Sequence, residues 1–234
     1  MTRFRLWAPA CETAGVELGG NVTAMTAKQG GWFEAEIEAP PGSRYRFLAG
    51  GKPVPDPASR MQDGAWSVVT DPHAYPWHDE AWRGRPWEET VIYEVHAGLA
   101  GGFAGVEALL PSLAELGVTA VELMPVAQFP GTRNWGYDGV LPYAPASAYG
   151  APEDLKRLVD RAHALGLMVF LDVVYNHFGP DGNYLPVYAP QFFHADRHTP
   201  WGAGIDFGKD RHSFVSSQCT KAVWPRCRNL PTTV

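Results

Sequence analysis

Hydrophobic and polar residues alternate with two different periods along this chain. In Trp32-Phe-Glu-Ala-Glu-Ile-Glu38, Phe33, Ala35 and Ile37 fall on one side of an extended chain and Glu34, Glu36 and Glu38 on the other. A period of two predicts a half-buried antiparallel strand. Arg3-Phe-Arg-Leu6 and Arg44-Tyr-Arg-Phe47 alternate in the same way. Gly30-Gly31 and Pro40-Pro41-Gly42 punctuate between them, so residues from about 3 to 70 are expected to form a small β-sandwich. From residue 91 the pattern changes. Val91-Ile-Tyr-Glu-Val95, Val118-Thr-Ala-Val-Glu-Leu-Met124 and Leu167-Met-Val-Phe-Leu171 are near-continuous apolar runs. Between them, Phe103, Val106, Leu110 and Leu113, and then Leu155, Leu158, Val159, Ala162 and Leu165, recur at helical spacing. Pro111 is expected to kink or delay the first helix. Gly117 and Gly166 mark helix ends, and Pro152 with Glu153 and Asp154 marks the start of the second helix. Apolar strands alternating with amphipathic helices predict a parallel sheet covered by helices.

The expected organisation is therefore multidomain, β followed by α/β. Residues 1–78 form the sandwich, 79–90 a Pro- and Trp-rich linker, and 91–207 about three βα units of a (β/α)₈ TIM barrel. A closed barrel needs eight units, typically about 250 residues in all. Only 57 positions follow His177, so the barrel is expected to be incomplete. Residues 208–234 differ from the rest: from Lys209 onward there are five basic residues and one acidic, and two of the three cysteines. A basic arm for a partner and sequence never under selection, such as translation past a frameshift, both fit that tail.

Composition narrows the function classes. A net charge of −6 argues against nucleic-acid and anionic-membrane partners. No apolar run approaches the roughly 20 residues of a membrane span, and the N-terminus lacks a signal-peptide core. Three cysteines without metal spacing point to a reducing, cytoplasmic setting and to inert thiols, and no cofactor is expected. Nine Trp, nine Tyr and eleven Phe suit sugar rings and aromatic cores alike.

Two constellations carry candidate chemistry. Leu171-Asp-Val-Val-Tyr-Asn-His177 reads as a buried strand whose polar end delivers Asp172, Asn176 and His177 to a barrel mouth. Continued strand geometry would separate Asp172 from Asn176 by about 13 Å, so the chain must bend after Val173 or Val174. Asn134-Trp-Gly-Tyr-Asp-Gly139 lies in the loop after the second strand, where Trp135 and Tyr137 offer apolar ring faces between close-approach glycines. A satisfied core Asp with an Asn-His turn, and an aromatic turn under a long loop, are the plain alternatives. Two such groups at adjacent strand ends favour a carbohydrate site.

Asp172-Val-Val-Tyr-Asn-His177 resembles the first signature region of the α-amylase family of glycoside hydrolases. Val91-Ile-Tyr-Glu-Val-His96, Glu122-Leu-Met-Pro-Val126 and Trp135-Gly-Tyr-Asp138 resemble its subgroup with an N-terminal, Ig-like β-sandwich. Tyr175-Asn-His-Phe-Gly-Pro-Asp-Gly-Asn-Tyr-Leu185 and His198-Thr-Pro-Trp-Gly202 are similar to the trehalose-releasing branch, with Asp181 where Glu is usual. The resemblance implies a retaining hydrolase that cleaves the α-1,4 bond next to a terminal trehalose unit of malto-oligosyltrehalose or a related α-glucan. It implies Trp135, Tyr137, Asp172, Asn176 and His177 as substrate-binding residues. Asn176 sits where many amylases ligate calcium, but this branch implies no metal. The family's nucleophile motif, similar to Asp-Gly-Leu-Arg-Leu-Asp-Ala, and its acid/base Glu do not occur in these 234 residues. The expectation is thus a truncated, inactive chain. A fragment of a glycogen branching or debranching type of enzyme and a non-catalytic glucan-binding fragment remain open at this point.

Overall fold

A computed structural model describes residues 1–207; the basic tail expected from 208 lies outside the described residues. The first part of the chain is all-β, with β1 (Thr2–Trp7), β2 (Ala14–Leu18), β3 (Asn21–Ala24), β4 (Thr26–Lys28), β5 (Trp32–Ile37), β6 (Arg44–Ala49), β7 (Lys52–Val54), β8 (Gln62–Asp63) and β9 (Trp66–Val68). One antiparallel sheet has the order β1-β5-β4; the other runs β3-β2-β6-β9-β8, with β7 on β6. Their inner faces meet in one core, with Phe4 and Leu6 of β1 and Phe33 of β5 against Val16 of β2 and Tyr45 and Phe47 of β6. Alternation in β5 follows the expected pattern: Phe33 is buried, Ala35 and Ile37 pack against the core, and Glu36 is exposed. On the outer side Glu34 takes Arg3 and Arg5 at 2.8 Å each.

The second part begins with β10 (Ile92–Val95), α1 (Ala97–Ala100), α2 (Phe103–Leu116) and β11 (Ala120–Leu123). A hairpin of β12 (Ala127–Gln128) and β13 (Leu141–Pro145) then precedes α3 (Pro152–Ala164) and β14 (Met168–Leu171). β10, β11 and β14 form a parallel sheet in that order. The helices cover one face, where Val95, Val121 and Leu123 join Phe103, Val106, Leu110, Leu155 and Leu158 in a second core. The helix runs through Pro111, although proline removes an i→i−4 bond at a cost of about 3 kcal/mol. Phe103, Val106 and Leu110 on one side of it and Leu113 on the other are buried against the sheet. That packing on both flanks outweighs the local penalty. At α3, Asp154 accepts from the Ala151 N–H at 2.8 Å and completes the N-terminal cap.

Two connections tie the parts together. The Pro- and Trp-rich segment near residues 75–85 lies on α3: Asp160 accepts from the His78 N–H at 3.0 Å, and His163 pairs with Asp79 at 2.8 Å under a stacked Trp82 ring. After residue 177, α4 (Leu185–Tyr188) and the hairpin β15 (Phe193–Thr199) and β16 (Gly202–Ile205) return to the first core. Phe178, Leu185, Tyr188, Phe192, Phe193 and Ile205 share one cluster with the β-sheets, and the Ala10 N–H donates to Tyr188 O at 3.1 Å.

Candidate functional site

Parallel register sets the C-terminal ends of the three strands side by side, with Val95, Leu123 and Leu171 aligned. Because side chains alternate, Glu94, Glu122 and Phe170, also in register, lie on the face opposite the helices. The ladder ends where the Asp172 N–H donates to Leu123 O at 2.9 Å, and the chain bends at Asn176. Asp172 follows the alternation onto the face of the two glutamates. Burial first, and then the negative charges of Glu94 and Asp172, push the Glu122 carboxyl above the ordinary carboxylate range. Glu94 and Glu122 were not among the expected site residues. Their signal was present as single charged residues inside two apolar strands.

The loop between β12 and β13 brings Tyr137 to this face. Its hydroxyl donates to Asp172 Oδ2 at 2.8 Å, and this bond is the main cause that raises the phenol above its ordinary value. Asn134 shapes the turn: its Oδ1 accepts from the Gly136 N–H at 2.7 Å and its Nδ2 donates to Asp138 at 2.7 Å. Gly136 has φ +100°, and a Cβ there would overlap Pro125 O. The turn therefore requires glycine.

The segment after β14 packs directly on that turn. The Gly179 N–H donates to Gly139 O at 3.1 Å, and a Cβ on Gly179 would overlap Asp138 O. Pro125, Gly136, Asp172, Tyr175 and Phe178 line a cleft between the two loops. His177, between Tyr175 and Phe178 in the chain, is buried, 7% exposed. Its Nδ1 lies 3.1 Å from Asn176 Oδ1, so the proton sits on Nδ1. Its Nε2 is buried with no hydrogen-bond partner among the described residues. The β15–β16 hairpin covers the ring, with Trp201 at 6.2 Å and the Ile205 N–H on Asn176 O at 3.2 Å.

Of the five expected residues, Tyr137 and Asp172 meet directly, and Asn176 and His177 meet each other. Trp135 stands 74% exposed on the same turn. Sequence reading missed the part of the hairpin that covers His177, although the Pro200-Trp-Gly202 turn signalled a reversal there. Among the described residues no group of three or more His, Cys, Asp or Glu side chains is placed to hold a metal ion. Nor is any described helix long and apolar enough to cross a membrane.

Residues 60–188 match the alpha-amylase catalytic domain. The chain belongs to the α-amylase family. It is 48% identical over 214 residues to malto-oligosyltrehalose trehalohydrolase from Deinococcus radiodurans, covering 89% of this chain and 36% of that protein. The corresponding protein from Saccharolobus solfataricus is 43% identical over 213 residues, covering 87% and 38%. A Salmonella typhimurium protein provisionally named an alpha amylase superposes with a TM-score of 0.86 at 49% identity, covering 93% of this chain and 38% of that one. The chain thus spans less than two fifths of the length of these relatives. Within the family match lie both loops that form the cleft.

Proposed function

We propose that this chain carries the substrate-recognition part of a retaining α-glycosidase that releases trehalose from malto-oligosyltrehalose. The observation that carries the reading is the Tyr137–Asp172 bond at the mouth of a parallel sheet, in a chain 48% identical to a trehalohydrolase. In this reading residues 1–78 are an Ig-like β-sandwich, 79–90 a linker and 91–207 the first three βα units of a (β/α)₈ barrel, with the basic tail from 208. Trp135, Tyr137, Asp172, Asn176 and His177 are its substrate-binding residues. The Tyr137 ring offers an apolar face to a pyranose, while the Asp172 carboxylate holds its hydroxyl and fixes the ring plane. The setting is the cytoplasm.

Retaining hydrolysis needs a nucleophile and an acid/base about 5–5.5 Å apart. The 234-residue polypeptide contains no sequence like the family's nucleophile motif. By itself it binds α-glucan and does not turn it over. The test is calorimetric titration with maltotriose and trehalose, beside a trehalose-release assay on malto-oligosyltrehalose. Saturable binding that Tyr137→Ala weakens at least tenfold supports the reading, and the absence of any saturable binding defeats it.

A further inference from the structure

We infer that His96 and Tyr149 are positioning residues that set Tyr137 against Asp172 by gripping a single backbone carbonyl, that of Asn134. The inference rests on the glucan-site reading for its consequence in binding, but not for its geometry. His96 follows β10 and caps α1. Its Nδ1 accepts from the Leu99 N–H at 3.0 Å, so that nitrogen carries no proton. The neutral ring then bears its proton on Nε2, which donates to Asn134 O at 2.7 Å. The Tyr149 hydroxyl donates to the same oxygen at 2.9 Å. Both lone pairs of one carbonyl are thereby used, from two side chains that cannot exchange roles.

The grip is rigid on the protein side. Tyr149 is 4% exposed and its ring meets those of His96, Phe103 and Phe129 edge-on, at 5.8, 6.0 and 5.4 Å. Its carbonyl also receives the Phe103 N–H at 2.8 Å, which anchors it to the start of α2. A Cβ on Gly98 would lie 2.8 Å from both the His96 and the Tyr149 rings, so the pair is packed beneath a glycine. On the other side, the Asn134 side chain folds the turn that presents Tyr137. Asn134 is therefore a node: its carbonyl is held by the scaffold and its amide holds the turn. Nothing in the turn beyond Asn134 reaches β10 or α2 by a described side-chain hydrogen bond. Release of the carbonyl removes the turn's tie to β10 and α2 and lets Tyr137 shift relative to Asp172.

Two isosteres separate this role from simple helix capping. His96→Gln keeps an N–H donor near Nε2 and loses the acceptor for Leu99. His96→Asn keeps that acceptor and loses the donor to Asn134. Tyr149→Phe keeps the packed ring and deletes the second donor. The first readout needs no ligand: titration of the Tyr137 phenol, followed through its labelled ring carbon by NMR. The elevated titration of the wild type should persist in His96→Gln and fall toward the ordinary tyrosine value in His96→Asn and Tyr149→Phe. Maltotriose affinity should drop about tenfold in the same two variants, the loss expected from one neutral hydrogen bond. An unchanged phenol titration in Tyr149→Phe and His96→Asn, or impairment in His96→Gln alone, overturns the inference. If His96→Asn fails to fold, Tyr149→Phe decides. A phenol that responds as expected in a protein that binds no maltotriose upholds the positioning role and defeats the glucan reading instead.

Discussion

The contact between the two site loops gives a quantitative prediction. Gly179 is the point of closest approach, and an added Cβ would overlap Asp138 O and sit 2.7 Å from that carbonyl carbon. Ordinary carbon–carbon contact is about 3.5–4.0 Å, so Gly179→Ala must open the loops by roughly 1 Å. The neighbour is backbone, held by the Asn134–Asp138 bond at 2.7 Å, and cannot rotate away as a side chain would. Opening lengthens the Gly179 N–H to Gly139 O bond of 3.1 Å beyond useful range, a net loss of about 1 kcal/mol. Overpacking adds about 1–3 kcal/mol. The sum is about 2–4 kcal/mol, which for a domain of this size lowers Tm by roughly 4–16 °C. Gly64→Ala is the comparison: Gly64 has φ +60° with open space around it, so only left-handed strain of about 1–2 kcal/mol applies. Thermal melts followed by circular dichroism, with maltotriose titrations beside them, measure both effects. Gly179→Ala should also weaken maltotriose binding, whereas Gly64→Ala should not. A Gly179→Ala protein that melts within a degree of wild type would refute the steric argument, and one that melts lower yet binds maltotriose normally would refute the link between loop contact and site.

Leu158 is fully buried between α3 and the parallel sheet, so Leu158→Ala should cost about 2–5 kcal/mol by chemical denaturation without a change in the limiting slope. Tyr188 is 1% exposed in the core shared with the antiparallel sheets, so Tyr188→Ala should lower the melting of the β-sheet region as well as that of its own loop, seen as loss of amide protection in β2 and β6 by hydrogen exchange. Glu122 binds its proton more tightly folded than unfolded, so its contribution is present below the unfolded value and is lost as pH rises through the folded one. Glu122→Gln should therefore raise Tm relative to wild type at pH 7 and leave it unchanged in acid below the carboxylate range; equal Tm differences at both pH values would contradict the sign. Purified 1–234 polypeptide should release no trehalose above a buffer blank, and release that titrates with protein would require a carboxylate pair within these residues.

Much of this protein is determined by its sequence alone. The period-two run of residues 32–38 defines β5 because an extended chain has no other way to bury Phe33 and expose Glu36. The apolar stripe of α3, its Asp154 cap and its end before Gly166 are local signals, and they place the helix within a residue of its observed bounds. The candidate motifs around Tyr137 and His177 are local signals too, because ring faces beside close-approach glycines and polar residues after an apolar strand are patterns of residue type. Short strands such as β3, β4 and β8 carried no such pattern; they exist because a neighbour in the sheet supplies their hydrogen bonds. Pro111 shows the same dependence: local stereochemistry opposes the helix there, and burial of Phe103, Val106, Leu110 and Leu113 against the sheet decides it. Tertiary structure alone brings the candidate site residues together. It pairs Tyr137 with Asp172 across 35 positions, brings Glu94 and Glu122 to one face through strand register, and folds the 185–205 segment back onto the first core over His177. Hydrogen bonds and burial between residues distant in sequence depend on where both are held in space, and no local period records that.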